Sequence, residues 1–235
     1  MIFIKELQPG LIRCIENNAQ GNIKENIKNG NSGTEEEKRV RRLRAAASRL
    51  RTWILANITP YCTRFLTLTY ADDRCSEQDF IKQTEKYFNR KVNEKYVYVY
   101  GVGLENRRLH VHALIFSEQN IVVPDWEYGD FSNEQIDDQI FAIANYFARQ
   151  ITIAINDHDY DLPIYIKRRY RCSRGLNKPK KIEPDDFFDS FDNENYEIVN
   201  CLDLVFNGVV VQKQAYIIDK EFYHTIRRLY KCKKE

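Results

Sequence analysis

The chain lacks the features that would place it in a membrane, a secretory route or an ATP-driven machine. Its apolar runs, such as Ile121–Pro124 and Val209–Val211, fall far short of the ~18 residues that span a bilayer. The opening MIFIKELQPG is interrupted by Lys5, Glu6 and Pro9 and carries neither the apolar core nor the small-residue cleavage site of a signal peptide. Six cysteines, at 14, 62, 75, 172, 201 and 232, form no CxxC or CxxxC, which excludes a zinc knuckle and a thioredoxin motif. They read as reduced thiols of a cytoplasmic protein. No GxxxxGK[ST] occurs, so a P-loop ATPase is excluded. Neither sign of charge dominates: 36 Lys and Arg face 34 Asp and Glu, a net +2 that argues against a generally basic, histone-like binder.

What is present suffices for a folded core. Hydrophobic residues make up 43% of the 235, which excludes global disorder and allows one large domain or one domain with appendages. Residues 1–33 show no sustained period and end in a KNGNSG cluster, the pattern of an N-terminal arm and linker. Thr34 and Glu37 form a capping box, and Val40, Leu43, Ala47, Leu50 and Ile54 recur at helical spacing, predicting a helix over 34–57. Its other face carries seven cations between 38 and 51, Arg41, Arg42 and Arg44 among them, with no acid. FLTLTY (65–70) reads as a strand and 76–93 as a second helix. KYVYVYGVGLE (95–105) and LHVHALIF (109–116) read as a hairpin, and 133–151 as a third helix. Eight cations lie between 164 and 181, among them Lys167, Arg168, Arg169, Arg171 and Arg174. Seven acids follow between 183 and 197, the pattern of a solvated loop. The segment 182–235 then closes with a hairpin about Asn207-Gly208 and a helix from about Asp219.

The sharpest local feature is His110-Val111-His112. In a strand, residues two apart share a face, so two of the chain's four histidines stand side by side. Glu105, across the short link, is placed to bring a carboxylate to the same patch. Two imidazoles and a carboxylate leave positions open for water and phosphate oxygens, a set that suits Mn²⁺ or Mg²⁺ and does not exclude Zn²⁺. The alternative is a pair of half-buried strand histidines hydrogen-bonded to their neighbours.

The order of FLTLTY, a helix, a hairpin bearing HVH, a helix with Tyr146, and then RRYRCSRGLNKP (168–179) resembles the HUH endonucleases. The likeness is to the rolling-circle replication initiators of Gram-positive plasmids and small single-stranded DNA phages. It covers about residues 38–181. The resemblance implies an α+β fold with a central antiparallel sheet flanked by helices, a nicking domain over 34–181, and a bacterial or archaeal host cell. It also implies His110 and His112 as metal ligands with Glu105 as the third, and Tyr146 as the nucleophile. In these relatives the tyrosine helix commonly reads like YxxKYxxK. Here Arg149 stands at the first Lys, while Gln150 and Ile153 replace the second Tyr and the second Lys. Spacing of i,i+3 puts Arg149 beside Tyr146.

The chemistry implied is attack of Tyr146 on a metal-activated phosphodiester, giving a 5′-phosphotyrosyl DNA and a 3′-OH that primes synthesis. The partners implied are single-stranded or hairpin origin DNA, a separate helicase and a host polymerase. Arg107 and Arg108 in the hairpin link, with the two basic runs, would track phosphates, and interleaved tyrosines would stack bases. Two alternatives remain open at this point: an origin-binding or regulatory protein that has lost nicking, and a relaxase or transposase with the same chemistry.

Overall fold

In the computed structural model of the chain, Thr34 caps the first helix as its spacing to Glu37 predicts. The Glu37 amide donates to Thr34 Oγ1 at 3.2 Å and the Thr34 amide to Glu37 Oε2 at 2.8 Å. The structure describes residues 2–8, 11–17, 33–59, 62–71, 74–103, 108–117, 121–137, 139–155, 166, 168–182, 196–206 and 209–219. These form an α+β protein of two units, Met1–Arg41 with Asn177–Glu235, and Arg42–Leu176. No described helix is long and apolar enough to cross a membrane.

The second unit holds most of α1 (Glu35–Leu55), then β3 (Arg64–Thr69), α2 (Glu77–Arg90), β4 (Lys95–Val102), β5 (Leu109–Phe116), β6 (Phe131–Gln135), α3 (Ile140–Thr152) and β7 (Tyr170–Cys172). Its five strands are ordered β6-β3-β5-β4-β7, every pairing antiparallel, with β5 in the centre. Strand alternation sorts the side chains. Tyr96, Tyr98 and Tyr100 of β4, Val111, Ala113 and Ile115 of β5, and Leu66 and Leu68 of β3 join one core with Phe80, Tyr87 and Phe88 of α2. At ~1.5–3 kcal/mol for each large side chain fully buried, this layer anchors the sheet. The opposite face carries Phe65, Thr67 and Thr69 of β3, Val97, Val99 and Gly101 of β4, and His110 and His112 of β5. Phe147 of α3 packs there edge-on to Phe65, ring centroids 5.7 Å apart.

Two sequence expectations change. The helix expected over 133–151 begins at Ile140, because Phe131–Gln135 is instead a strand along β3, with Ser132 opposite Thr67. The apolar residues of 136–151 share one helical period, but pairing with β3 satisfies the backbone before them. Within residues 1–33, read as an arm, β1 (Ile2–Gln8) and β2 (Leu11–Asn17) form a hairpin. They lie in a second five-stranded sheet, β8-β1-β2-β10-β9, with β8 (Lys180–Ile182), β9 (Tyr196–Phe206) and β10 (Val209–Asp219). Each strand of the hairpin is too short for a period to register, yet Ile4, Leu7, Leu11 and Ile12 are buried. β9 and β10 pair as the expected hairpin. Its Asn207-Gly208 turn, most of the acidic loop and the C-terminal helix lie outside the described residues.

Candidate active site

Antiparallel register fixes what surrounds the two histidines. On β5, His110 stands between Thr69 of β3 and Gly101 of β4, and His112 between Thr67 and Val99. The imidazoles lie 4.5 Å apart between ring centroids, as i,i+2 alternation requires. Above them runs α3, whose Phe147 and Ile151 are buried while Tyr146 stays 40% exposed. The Tyr146 hydroxyl is 2.7 Å from His112 Nε2. An open cavity of about 500 Å³ gathers Thr67, Thr69, Arg108, His110, His112, Tyr146, Arg149 and Gln150 along its walls.

Hydrogen bonding sets the form of each ring. His110 Nδ1 lies 3.3 Å from the Arg108 carbonyl oxygen, which can only accept, so Nδ1 carries the proton and the Nε2 lone pair is left for the cavity. In the same form, His112 donates from Nδ1 to Thr67 Oγ1 at 3.1 Å and accepts the Tyr146 hydroxyl at Nε2. Burial keeps both rings neutral. It pushes His112 down to about 3, with help from its neighbour His110, and it lowers His110 against the opposing pull of the Arg108 carbonyl. Burial also raises the Tyr146 phenol.

These directions limit the chemistry. An imidazole that protonates only near pH 3 is a poor base for a phenol above ~10, a mismatch of some seven orders of magnitude. His112 therefore does not serve as the proton acceptor that activates Tyr146. Neutral imidazoles with Nε2 presented and an oxygen behind each Nδ1 suit a divalent cation, for which such outer partners orient the ring. The backbone leaves room for one. A Cβ added at Gly101 would meet His110 Nε2 at 2.5 Å, so that nitrogen faces a cradle that any other residue would fill. Among the described residues no third His, Cys, Asp or Glu joins the pair.

The remaining expected site residues fall in several places. Glu105, Arg107 and Lys167 lie outside the described residues. Arg108 and Arg149 line the cavity and bring two cations to it. Arg171, on edge strand β7, is ion-paired with Glu85 of α2. Arg42, Arg44, Arg168 and Arg174 are exposed in the same unit, and Arg169 is half-buried. Arg41 is exposed at the boundary of the other unit. The face of α1 read as acid-free loses two cations to the helix's own first turn, where Lys38 and Arg39 pair with Glu35 and Glu36 at 2.8 Å. Thr67, Thr69, Gly101 and Gln150 were not singled out from the sequence as site residues. The signal for the threonines was there: FLTLTY alternates, so Thr67 and Thr69 share a face on an otherwise apolar strand.

Residues 63–152, 90 of the 235, match the family model of the replication-associated proteins of the ORF2 type. The match runs from β3 through α3 and so includes His110, His112, Tyr146 and Arg149. No curated protein and no solved structure matches the chain.

Proposed function

We propose that the chain is a nicking and joining enzyme of the HUH type that acts at one site on single-stranded or hairpin origin DNA and initiates rolling-circle replication. The likeness of residues 63–152 to replication-associated proteins supports the replication role. The observation that carries the chemistry is the Tyr146 hydroxyl 2.7 Å from His112 Nε2, in a cavity shared with His110, Arg108 and Arg149.

Each group has a task. Arg108 and Arg149 draw a phosphodiester into the cavity and hold its non-bridging oxygens, for which a guanidinium offers a fork of donors. Helix α3 aims Tyr146 Oη at the phosphorus. The new Oη–P bond forms as the P–O3′ bond breaks, and the phenol proton is passed on to the leaving 3′-oxygen or to water. The products are a 5′-phosphotyrosyl strand and a free 3′-OH, and attack by a 3′-OH on that linkage reverses the step without ATP. His110 and His112, with Glu105 as the expected third ligand, would hold Mn²⁺ or Mg²⁺. Such an ion supplies polarisation of the scissile phosphate and charge neutralisation in the transition state. With no P-loop in the chain, strand separation falls to a separate helicase, and a host polymerase extends the 3′-OH.

The test is incubation of the protein with labelled origin-like single strands and Mn²⁺. A covalent adduct that survives denaturation is expected from the wild type and absent from Tyr146→Phe. An equal adduct from Tyr146→Phe, or none from the wild type on any such strand, rejects the assignment.

A further inference from the structure

Gln150 stands at the helix position where the resembled initiators carry a second tyrosine, and its placement gives it a different use. We infer that its side-chain oxygen is a direct ligand of the divalent cation, completing a set of His110 Nε2, His112 Nε2 and Gln150 Oε1. The inference rests on the proposed nicking reading for the presence of the ion.

Gly101 is the position that reveals the convergence. It sits opposite His110 in the β4–β5 register, and a Cβ built there would lie 2.5 Å from His110 Nε2 and 2.8 Å from Gln150 Oε1. Two atoms that close to a common point are no more than about 5 Å apart. Two ligands of one ion, each at ~2.1 Å, are at most ~4 Å apart, so a small side-chain rotation brings the amide oxygen and the imidazole nitrogen onto one ion. The geometry along α3 agrees. Tyr146 and Gln150 are i,i+4 neighbours on one helix face, and both line the cavity that holds the histidines. The chemistry suits as well. An amide carbonyl is a hard oxygen donor of the kind that Mg²⁺ and Mn²⁺ accept. Being neutral, it leaves the ion its full double charge for the scissile phosphate, where a carboxylate would cancel part of it. In a purely structural role the amide would instead turn its NH₂ to cap His110 Nε2, and metal affinity would then not depend on Gln150.

The experiment titrates the full-length protein with Mn²⁺ and follows the free ion by electron paramagnetic resonance, for wild type, His110→Ala, Gln150→Ala and Gln150→Glu. Wild type should bind one ion saturably, and His110→Ala should lose that binding. Gln150→Ala should weaken it by ~10–100-fold, the range seen when groups supporting a bound metal are removed. Gln150→Glu should bind more tightly than wild type, because the same oxygen position gains a charge. If His110→Ala loses the ion while Gln150→Ala stays within about twofold of wild type, the Gln150 assignment is overturned and the histidine site stands. If Gln150→Glu binds no better than Gln150→Ala, the loss in the latter reflects disturbed packing, and the assignment is again overturned. Absence of saturable Mn²⁺ binding by wild type overturns the metal reading together with this one.

Discussion

Removing only the hydroxyl of Tyr146 should make the protein less stable without metal and better at binding it. Tyr146→Phe keeps the ring contacts to Phe65, His112 and Phe147, with centroids 6.0, 5.0 and 6.2 Å away, so the packing of α3 is unchanged. What disappears is the 2.7 Å bond to His112 Nε2. A neutral hydrogen bond is worth ~0.5–1.5 kcal/mol net, and since Tyr146 is 40% exposed the lower half of that range applies. The metal-free variant should therefore melt a few degrees below wild type. An ion that takes Nε2 must first displace that hydroxyl in wild type, and in the variant it need not. The same energy then appears as about a two- to sixfold gain in Mn²⁺ affinity, at 1.4 kcal/mol per tenfold. Scanning calorimetry without metal and a calorimetric Mn²⁺ titration measure the two effects on the same samples. A variant that binds Mn²⁺ more weakly than wild type would show that the hydroxyl assists the ion, and the competition argument would be wrong.

Gly101→Ala places a methyl group on His110 and Gln150 and should cost about 1–3 kcal/mol of overpacking, visible as a lower melting temperature with weakened Mn²⁺ binding. A variant that keeps both properties would remove the close approach from the account. Acid should destabilise the protein through His112. Its folded value of about 3 lies below the 6.5 of an ordinary histidine, so between those limits the unfolded chain binds a proton the folded one refuses. Stability is then full above pH 6.5 and declines toward pH 3, by up to ~1.4 kcal/mol per pH unit, and His112→Gln should flatten that slope in denaturant titrations. Arg108→Gln should weaken single-strand binding and reduce the salt dependence by ~0.7 in log–log slope, one phosphate contact. Arg171→Gln, engaged with Glu85, should lower the melting temperature and leave that slope unchanged.

Much of the second unit was legible in the sequence because its period-2 signals coincide with burial on both faces. YVYVYG sends three tyrosines into the α2 layer and leaves Val97, Val99 and Gly101 on the site face, and HVH falls on the central strand. The capping box at Thr34 and the N-cap at Ser76, which accepts from the Asp79 amide at 3.1 Å, are local signals that need no tertiary context. Three features needed that context. FSNEQ carries little apolar pattern of its own and is a strand because β3 offers it an edge. The hairpin of β1 and β2 is paired by β8 and β10, far along the chain, so no local window announces it. The meeting of Gln150 with His110 depends on the register of two strands and the height of a helix above them, which pattern alone does not encode.

The central position of β5 bears on how the protein survives its own fluctuations. Backbone hydrogen bonds hold that strand on both sides, to β3 and β4, whereas the five-residue β6 and three-residue β7 each pair along one side in this sheet. Amide protons of 110–115 should then exchange with solvent only on global unfolding, while those of 131–135 and 170–172 exchange through local opening. The borders of the sheet can peel and reseal around an arriving strand of DNA, and the two imidazoles keep their spacing throughout.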